Sequence, residues 1–227
     1  LHYGPMVRSV ADAALMQNVM CGPHPKDIVS IRPKINLPLN YPDIKGWKIA
    51  YSMDLGYFEV DKEVEQNTLQ ALEKFKSLGA TVTEVKLNWK KEEIESACYS
   101  HYASFFAKTV ADLLPEHKEK LSSYALMNAQ SAEVHMKALL DNKKIYYPQL
   151  GANLGLSPNE CAIVAGEMYS ELSPILDQYD AFISPTNNLP AVKADVDLEK
   201  DPVIINGKEQ VGRDMCWTMC YPFNMLG

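Results

Sequence analysis

Apolar residues near the start of the chain recur at the spacing of an α-helix. They follow Ser9, a residue type that caps helices, and they end before Gly22 and two nearby prolines. The pattern predicts an amphipathic helix over residues 9–20, whose inner face is formed by Val10, Ala13, Ala14, Met16, Val19 and Met20. Residues 28–43 hold three prolines and no clear period, which predicts a connector along the surface.

The next segment changes from a strand pattern to a helical pattern and back. Residues 47–52 form a short strand candidate, and residues 80–85 alternate β-branched and polar positions as a second strand does. Between them, residues 60–78 predict a helix with Gly79 as its C-terminal cap. Its predicted inward positions are Val64, Leu69, Leu72, Phe75 and Leu78. A strand–helix–strand unit with a parallel pair indicates an α/β fold.

The central part of the chain is mostly helical in pattern. Residues 91–140 predict helices that are interrupted around Pro115, with Glu92, Glu93 and Glu95 on a solvated face. Residues 149–158 predict a glycine-containing connection. Residues 160–176 predict another helix, for which two residues could be the N-cap, Ser157 and Asn159.

A third strand is predicted for residues 181–184, and it opens into a loop at residues 185–188. In open α/β sheets, ligands collect at the carboxyl ends of strands, so this loop is a candidate binding element. Residues 191–210 are polar and predicted to be irregular, with a turn at Asn206-Gly207.

Composition and charge narrow the possible functions. The 227 residues are 47% hydrophobic and 22% charged, which fits one large globular domain or two small ones. A net charge of −7 without a basic cluster predicts no nucleic-acid partner. The sequence has no apolar run of the ~20 residues that a membrane helix needs and no signal-peptide pattern, so we predict a cytoplasmic protein without membrane contact.

Motifs for metal, nucleotide or serine chemistry are missing from the sequence. The five cysteines form no CxxC and the five histidines no HExxH, which predicts reduced, buried thiols and no metal site. GxGxxG, GxxxxGK[ST] and GxSxG are all absent. The serine pair Ser122-Ser123 has no neighbouring glycine, so we interpret it as an ordinary helix-end or surface feature.

Five blocks in order along the chain resemble the amidase-signature family. They read GPMVRSVADAA at residues 4–14, MCGPHPKD at 20–27, KIAYSMDLG with VDKEV and LGATV within 48–82, YDAFISPT at 179–186 and YPFNMLG at 221–227. Residues 85–175 match only loosely. The resemblance implies an α/β amidase fold, a mixed β-sheet surrounded by α-helices, of which residues 1–227 would be an incomplete, C-terminal part.

The resemblance also implies a reaction. Family members hydrolyse a carboxylic amide to an acid and ammonia or an amine through a Ser-Ser-Lys relay, without metal or organic cofactor. In relatives that relay lies before the segment matching Gly4-Pro5-Met6, so no catalytic residue is assigned here and the triad is expected upstream of Leu1. The final strands of the family's domain are expected after Gly227.

The expected contribution of this chain is the wall of a pocket for a small-molecule amide. The predicted substrate-binding residues are Thr186 and Asn187 after the third strand, Trp217, and Tyr99 and Tyr102 in the loosely matched region. Other interpretations stay open, because the aromatic residues could be core residues and Asn187 could cap a turn. Two further functions also stay open: an amidotransferase A subunit that passes ammonia to a partner acting on charged tRNA, and a silent remnant that binds or scaffolds. Exposed apolar surface at the missing parts would favour a homo-oligomer.

Overall fold

The computed structural model describes residues 4–27, 30–41, 43–197, 201–211 and 216–226. The chain divides into two compact units, Leu1–Lys45 and Gly46–Gly227. Within the described residues, no helix is both long enough and apolar enough to cross a membrane.

The first unit contains helix α1, Val10–Met20, and otherwise irregular backbone in its described residues. Ser9 caps α1 by accepting a hydrogen bond from the Asp12 N–H, as the sequence predicts. The predicted amphipathic face is wrong, because Ala14 is the buried residue of the helix and Val19 is 78% exposed. The connector prediction is confirmed for the described residues, and Ile28, Val29 and Pro42 lie outside them.

The second unit is built on a three-stranded parallel sheet. Its strands are β1 (Lys48–Tyr51), β2 (Thr81–Glu84) and β5 (Ala181–Ile183), in the order β2-β1-β5. Helix α2 (Lys62–Ser77) connects β1 to β2, which confirms the predicted strand–helix–strand unit and its parallel pair.

Helix α2 begins two residues later than predicted because Asp61 is its N-cap and accepts from the Glu63 N–H. Gly79 follows the last turn with φ at +93°, the left-handed conformation that ends helices, so its capping role is confirmed. Leu72 is buried, but Leu69 and Leu78 are 41% and 49% exposed, so their inward prediction is wrong.

The predicted helical region is confirmed, including its break at Pro115. It consists of α3 (Lys91–Tyr102), a π-helical turn (Ala103–Ala107), α4 (Lys108–Ala111), α5 (Leu114–His117), a 3₁₀ turn (Lys118–Lys120) and α6 (Ser123–Leu140). Pro115 lies in the first turn of α5, where a missing N–H costs nothing. Ser122 caps α6, which confirms the helix-end interpretation of the serine pair.

Two short antiparallel hairpins were not predicted. Strand β3 (Ile145–Tyr147) lies in a stretch for which no element is predicted, and it pairs with β4 (Ala152–Leu154), which lies in the predicted connection 149–158. Strand β6 (Val203–Ile205) pairs with β7 (Lys208–Gln210) in the segment predicted to be irregular. The Asn206-Gly207 turn is confirmed, since both residues have positive φ.

Helix α7 (Pro158–Gln178) spans two residues more at each end than predicted. Ser157 is its N-cap and forms a capping box with Glu160, which decides between the two candidate caps. The Lys144 ammonium lies 2.7 Å from the Glu160 carboxylate and, with the Ser157 hydrogen bonds, lowers the pKa of Glu160 to about 2.

The main core of this unit joins four parts of the chain. One buried cluster contains Leu55 and Phe58 after β1, Ile94 and Cys98 on α3, Met168 and Leu172 on α7, and Met219 near the C-terminus. Glu95 lies in the same buried stretch of α3 and is 0% exposed, so the solvated face predicted for it is wrong.

Candidate active site

The loop after β5, residues 185–188, is held by the C-terminal segment, residues 216–226. The Met219 N–H donates to the Thr186 carbonyl at 2.9 Å, and the Asn188 N–H donates to the Trp217 carbonyl at 2.9 Å. Between them, Asn187 and Thr218 form an isolated antiparallel bridge. The structure therefore brings together three of the five predicted residues, Thr186, Asn187 and Trp217, at the carboxyl end of a parallel strand.

The side chains of this loop differ in their exposure. Thr186 and Asn187 are exposed, and Trp217 is half-buried. Among the described residues, the Asn187 side-chain amide has no hydrogen-bonding partner. Its alternative role as a side-chain turn cap therefore has no support in the described residues, and the amide faces solvent where it could bind a ligand.

Asn188 anchors the loop, and the sequence does not single it out. It is 0% exposed, and its amide nitrogen donates to the carbonyls of Glu59 and Cys216, both at 2.8 Å. Its own carbonyl accepts from the Asp61 N–H at 2.7 Å. Asn188 thus ties the candidate loop to the start of α2 and to the C-terminal segment. In the sequence, Asn187 and Asn188 are indistinguishable.

The loop between β1 and α2 is attached to the β6–β7 hairpin as well. The Glu59 carboxylate accepts from the Asn206 amide at 2.9 Å and from the Lys208 ammonium at 2.8 Å. These two hydrogen bonds lower the pKa of Glu59. Residue 59 therefore contacts two distant parts of the chain, through its carbonyl and its side chain.

The two predicted tyrosines lie elsewhere. Tyr99 is 4% exposed and packs in a cluster with Leu150, Ala152 and Leu154 of the β3–β4 hairpin. Tyr102 is half-buried and stacks on Phe106 with ring centroids 5.6 Å apart. Their role in substrate binding stays a prediction.

A serine and a histidine that lie in contact do not have the arrangement of a nucleophile and its base. Ser104 Oγ is 2.8 Å from His135 Nε2, but the Gly155 N–H donates to His135 Nδ1 at 3.1 Å. Nδ1 is then the acceptor of the neutral ring, so Nε2 carries the proton. Such a ring donates to Ser104 and does not remove its proton. His135 is 0% exposed, so it is a core residue whose two ring nitrogens both have hydrogen-bond partners.

A second buried polar cluster lies between α3 and the C-terminal segment. The Tyr57 and Tyr221 hydroxyls are 3.1 Å apart, and burial raises the pKa of both. Burial raises the pKa of the neighbouring Glu95 carboxyl to about 7, against the smaller opposing effects of Lys91 and the Tyr221 hydroxyl. Burial also raises the pKa of the Cys98 thiol.

The described residues contain neither a cluster that could bind a metal ion nor a buried lysine. These residues contain no cluster of three His, Cys, Asp or Glu side chains that could hold a metal ion. No disulfide joins the five cysteines, all of which lie in the described residues. The predicted burial is confirmed for Cys98, Cys161 and Cys216 and is wrong for Cys220, which is exposed, while Cys21 is half-buried. Each described lysine is exposed except Lys91, which is half-buried.

Together, the parallel sheet flanked by helices and the polar loop at a strand's carboxyl end define an α/β protein with a candidate binding loop at its sheet edge. The sequence profile of the Amidase family matches residues 1–227, so the chain belongs to the amidase-signature family. Its fold agrees with a solved bacterial aryl acylamidase of that family at a TM-score of 0.76 and 22% identity, over 99% of this chain and 44% of the other.

The curated relatives of this chain include an acylamidase and A subunits of amidotransferases. An acylamidase of Rhodococcus erythropolis is 28% identical over 99% of this chain and 43% of its own length. The glutamyl-tRNA(Gln) amidotransferase of Pseudothermotoga lettingae has an A subunit that is 26% identical over 84% of this chain and 42% of its own length. The chain thus spans less than half the length of these relatives.

Proposed function

We propose that the parent of this chain is an amidase that hydrolyses a carboxylic amide to an acid and ammonia or an amine, and that this chain supplies walls of the substrate pocket. Family membership over residues 1–227 is the observation that supports the reaction. The pocket-wall role is supported by the loop at residues 186–188, which the C-terminal segment holds at the carboxyl end of β5.

The proposed mechanism is the Ser-Ser-Lys relay that the family resemblance implies. A neutral lysine accepts a proton from a bridging serine, that serine deprotonates the nucleophilic serine, and backbone N–H groups bind the oxyanion. A lysine must be desolvated to be neutral near pH 7, and no described lysine is buried. The sequence also contains no Gly-Ser-Ser. Both observations favour a relay supplied by another part of the parent protein.

Within the pocket, Thr186 and Asn187 are the residues that we propose to bind substrate directly, since a hydroxyl and an amide can bond both ends of an amide group. Trp217 is proposed as an apolar wall beside them. Tyr99 and Tyr102 remain proposals, and the burial of Tyr99 favours a packing role against the β3–β4 hairpin.

The experiment that tests this function compares the isolated chain with the full-length parent. Each is treated with a fluorophosphonate probe and with an anilide substrate. We expect stoichiometric labelling and a burst of amine from the parent, and neither from the chain. Labelling of a serine within residues 1–227 would contradict the assignment of the relay. A parent that is neither labelled nor active would favour the scaffold function.

The amidotransferase A-subunit function is a second candidate, because several amidotransferase A subunits match part of the chain. The one from Marinobacter nauticus is 40% identical over 87 residues, which are 37% of this chain. The amidase is favoured because the acylamidase match extends over nearly the whole chain, including the loosely matched middle. A glutaminase activity of the parent that requires charged tRNA and a partner protein would favour the amidotransferase instead. A cytoplasmic location stays a prediction.

A further inference from the structure

The Glu95 carboxyl is buried without the partners that a buried charge needs. It lies on α3 within the buried stretch 94–100 and is 0% exposed, and neither oxygen makes a hydrogen bond of normal geometry among the described residues. The Tyr221 hydroxyl is close enough to lower the pKa of the carboxyl, but burial outweighs it. The nearest described cation is the Lys91 ammonium, 3.9 Å from Oε1. Lys91 is shared, because its ammonium also donates to the Val211 carbonyl at 3.2 Å. An ionised Glu95 would therefore be poorly compensated.

The groups that face Glu95 from the neighbouring elements hold no charge near neutral pH. Tyr57, after β1, and Tyr221, in the C-terminal segment, have hydroxyl pKa values raised by burial. Burial and the Glu95 charge raise the pKa of Cys98 on α3, and burial raises to about 11 the pKa of Cys161 on α7, which interacts with Cys98. From β4, the uncharged Asn153 contacts α3 through its bond to Ser96. Glu95 is thus the group in this cluster whose charge changes between pH 5 and 9.

The buried cluster around Glu95 contacts the C-terminal segment, which in turn holds the candidate loop. Tyr221 opens a 3₁₀ turn, Tyr221–Met225, which packs against α3. Two residues before it, Met219 lies in the same buried cluster as Ile94 and donates its N–H to Thr186. A change in the packing of residues 216–226 on α3 would therefore reach residues 186–188.

We propose that Glu95 is a pH-sensitive lock: while its carboxyl is neutral, α3 holds residues 216–226 and the loop 186–188 in place, and its ionisation loosens both. An ionised Glu95 gains by moving toward water, and the C-terminal segment packs against α3 and places Tyr221 beside Glu95. This lock concerns the packing of the chain itself and does not depend on the proposed amidase reaction.

The test is backbone amide exchange of the purified chain, read by mass spectrometry at pH 6 and pH 8 and corrected for the chemical exchange rate. A carboxyl with a pKa of about 7 in the locked state and an ordinary one in the loosened state predicts a roughly tenfold loss of protection over this interval. The loss should be confined to peptides that contain residues 186–188 and 216–226. In Glu95→Gln, protection in these peptides should change less than about twofold.

Two further variants complete the test. Glu93→Gln is the matched control, because this exposed residue lies on the same helix, and it should keep the wild-type pH dependence. Lys91→Met should move the loss of protection to higher pH, because Lys91 lowers the pKa of Glu95. A wild-type pH dependence in Glu95→Gln would overturn the lock. If Glu95→Gln does not fold, an unshifted Lys91→Met transition overturns it. The readout needs no enzymatic activity, so its failure would leave the amidase proposal untouched.

Discussion

The Asn188 side chain donates a hydrogen bond to the Glu59 carbonyl at 2.8 Å, across 129 residues of sequence. With its second bond, to Cys216, it joins three parts of the chain around the candidate loop. We expect Asn188→Ala to lower the free energy of unfolding by about 2–4 kcal/mol, because the buried Cys216 carbonyl and the part-buried Glu59 carbonyl lose their donor. Urea denaturation of the purified chain measures this. Asn187→Ala is the matched control and should change stability by less than about 0.5 kcal/mol. Equal losses in the two variants would contradict the division of roles.

Asn187 is expected to act on substrate rather than on stability. In the full-length parent, Asn187→Ala should lower kcat/KM by roughly 10- to 100-fold, the effect of one hydrogen bond to substrate left unmade. Steady-state kinetics on an anilide, corrected for the folded fraction, give the ratio. A kcat/KM within about twofold of wild type would remove Asn187 from the site.

The different outcomes for these two asparagines show where sequence reasoning ends. The strand at residues 181–183 and its polar loop could be predicted, because local pattern and turn chemistry encode them. The sequence could not predict which side-chain amide of the pair turns inward. That choice depends on the carbonyls of residues 59 and 216, which only the tertiary fold brings near.

The burial of Glu95 could not be predicted from the sequence. Every residue from 94 to 100 is buried, so no alternation of polar and apolar positions shows which side of α3 faces the core. The acidic residues at the start of α3 have the pattern of an ordinary solvated helix face. Strands β3, β4, β6 and β7 have three residues each, too few to display a period of two. The Asn206-Gly207 turn could still be predicted, because its type requires the positive φ that these residues tolerate.

His135 is expected to make the fold sensitive to acid. Burial, and then the Lys144 charge, lower its pKa in the folded chain. The neutral ring is therefore favoured by folding, and its contribution to stability is full above the unfolded pKa of about 6.5 and is lost as pH falls through the lower, folded value. Protonation of Nδ1 also removes the acceptor of the Gly155 N–H.

The measurement is urea denaturation between pH 7.5 and 5. Wild-type chain should lose more stability over this interval than His135→Gln, which cannot titrate there. The exposed His24 supplies the control, and His24→Gln should follow the wild type. A parallel pH dependence of wild type and His135→Gln would contradict the prediction.

Gly56 is a position where no side chain fits. Its φ is +87°, and a Cβ there would lie 2.3 Å from the Leu87 carbonyl oxygen. Gly56→Ala should cost about 3 kcal/mol or more, the sum of a left-handed conformation and a clash with backbone. Gly46 has a similar φ of +83° but open space around it, so Gly46→Ala should cost only about 1 kcal/mol. Thermal unfolding of both variants separates the cost of the left-handed conformation from the cost of the clash. Equal melting temperatures would refute the clash.

The predicted homo-oligomer can be tested on α1. Val10 and Val19 are 73% and 78% exposed, which is unusual for two large apolar residues of one helix. We expect the isolated chain to associate, with a mass by light scattering that falls toward one chain in Val19→Lys. Gln66→Lys, on the exposed side of α2, should leave the mass unchanged. A wild-type monomer at high concentration would count against association.

The contacts of residue 59 also order the events of folding. Its bonds to Asn188 and Asn206 close loops of 129 and 147 residues, whereas β1 and β2 pair at a separation of 33 residues, from Lys48 to Thr81. Loop closure of that length costs entropy before any contact repays it. The strand–helix–strand unit should therefore form early and serve as a template. The candidate loop, the β6–β7 hairpin and the C-terminal segment should then condense onto its edge in the slowest step of folding.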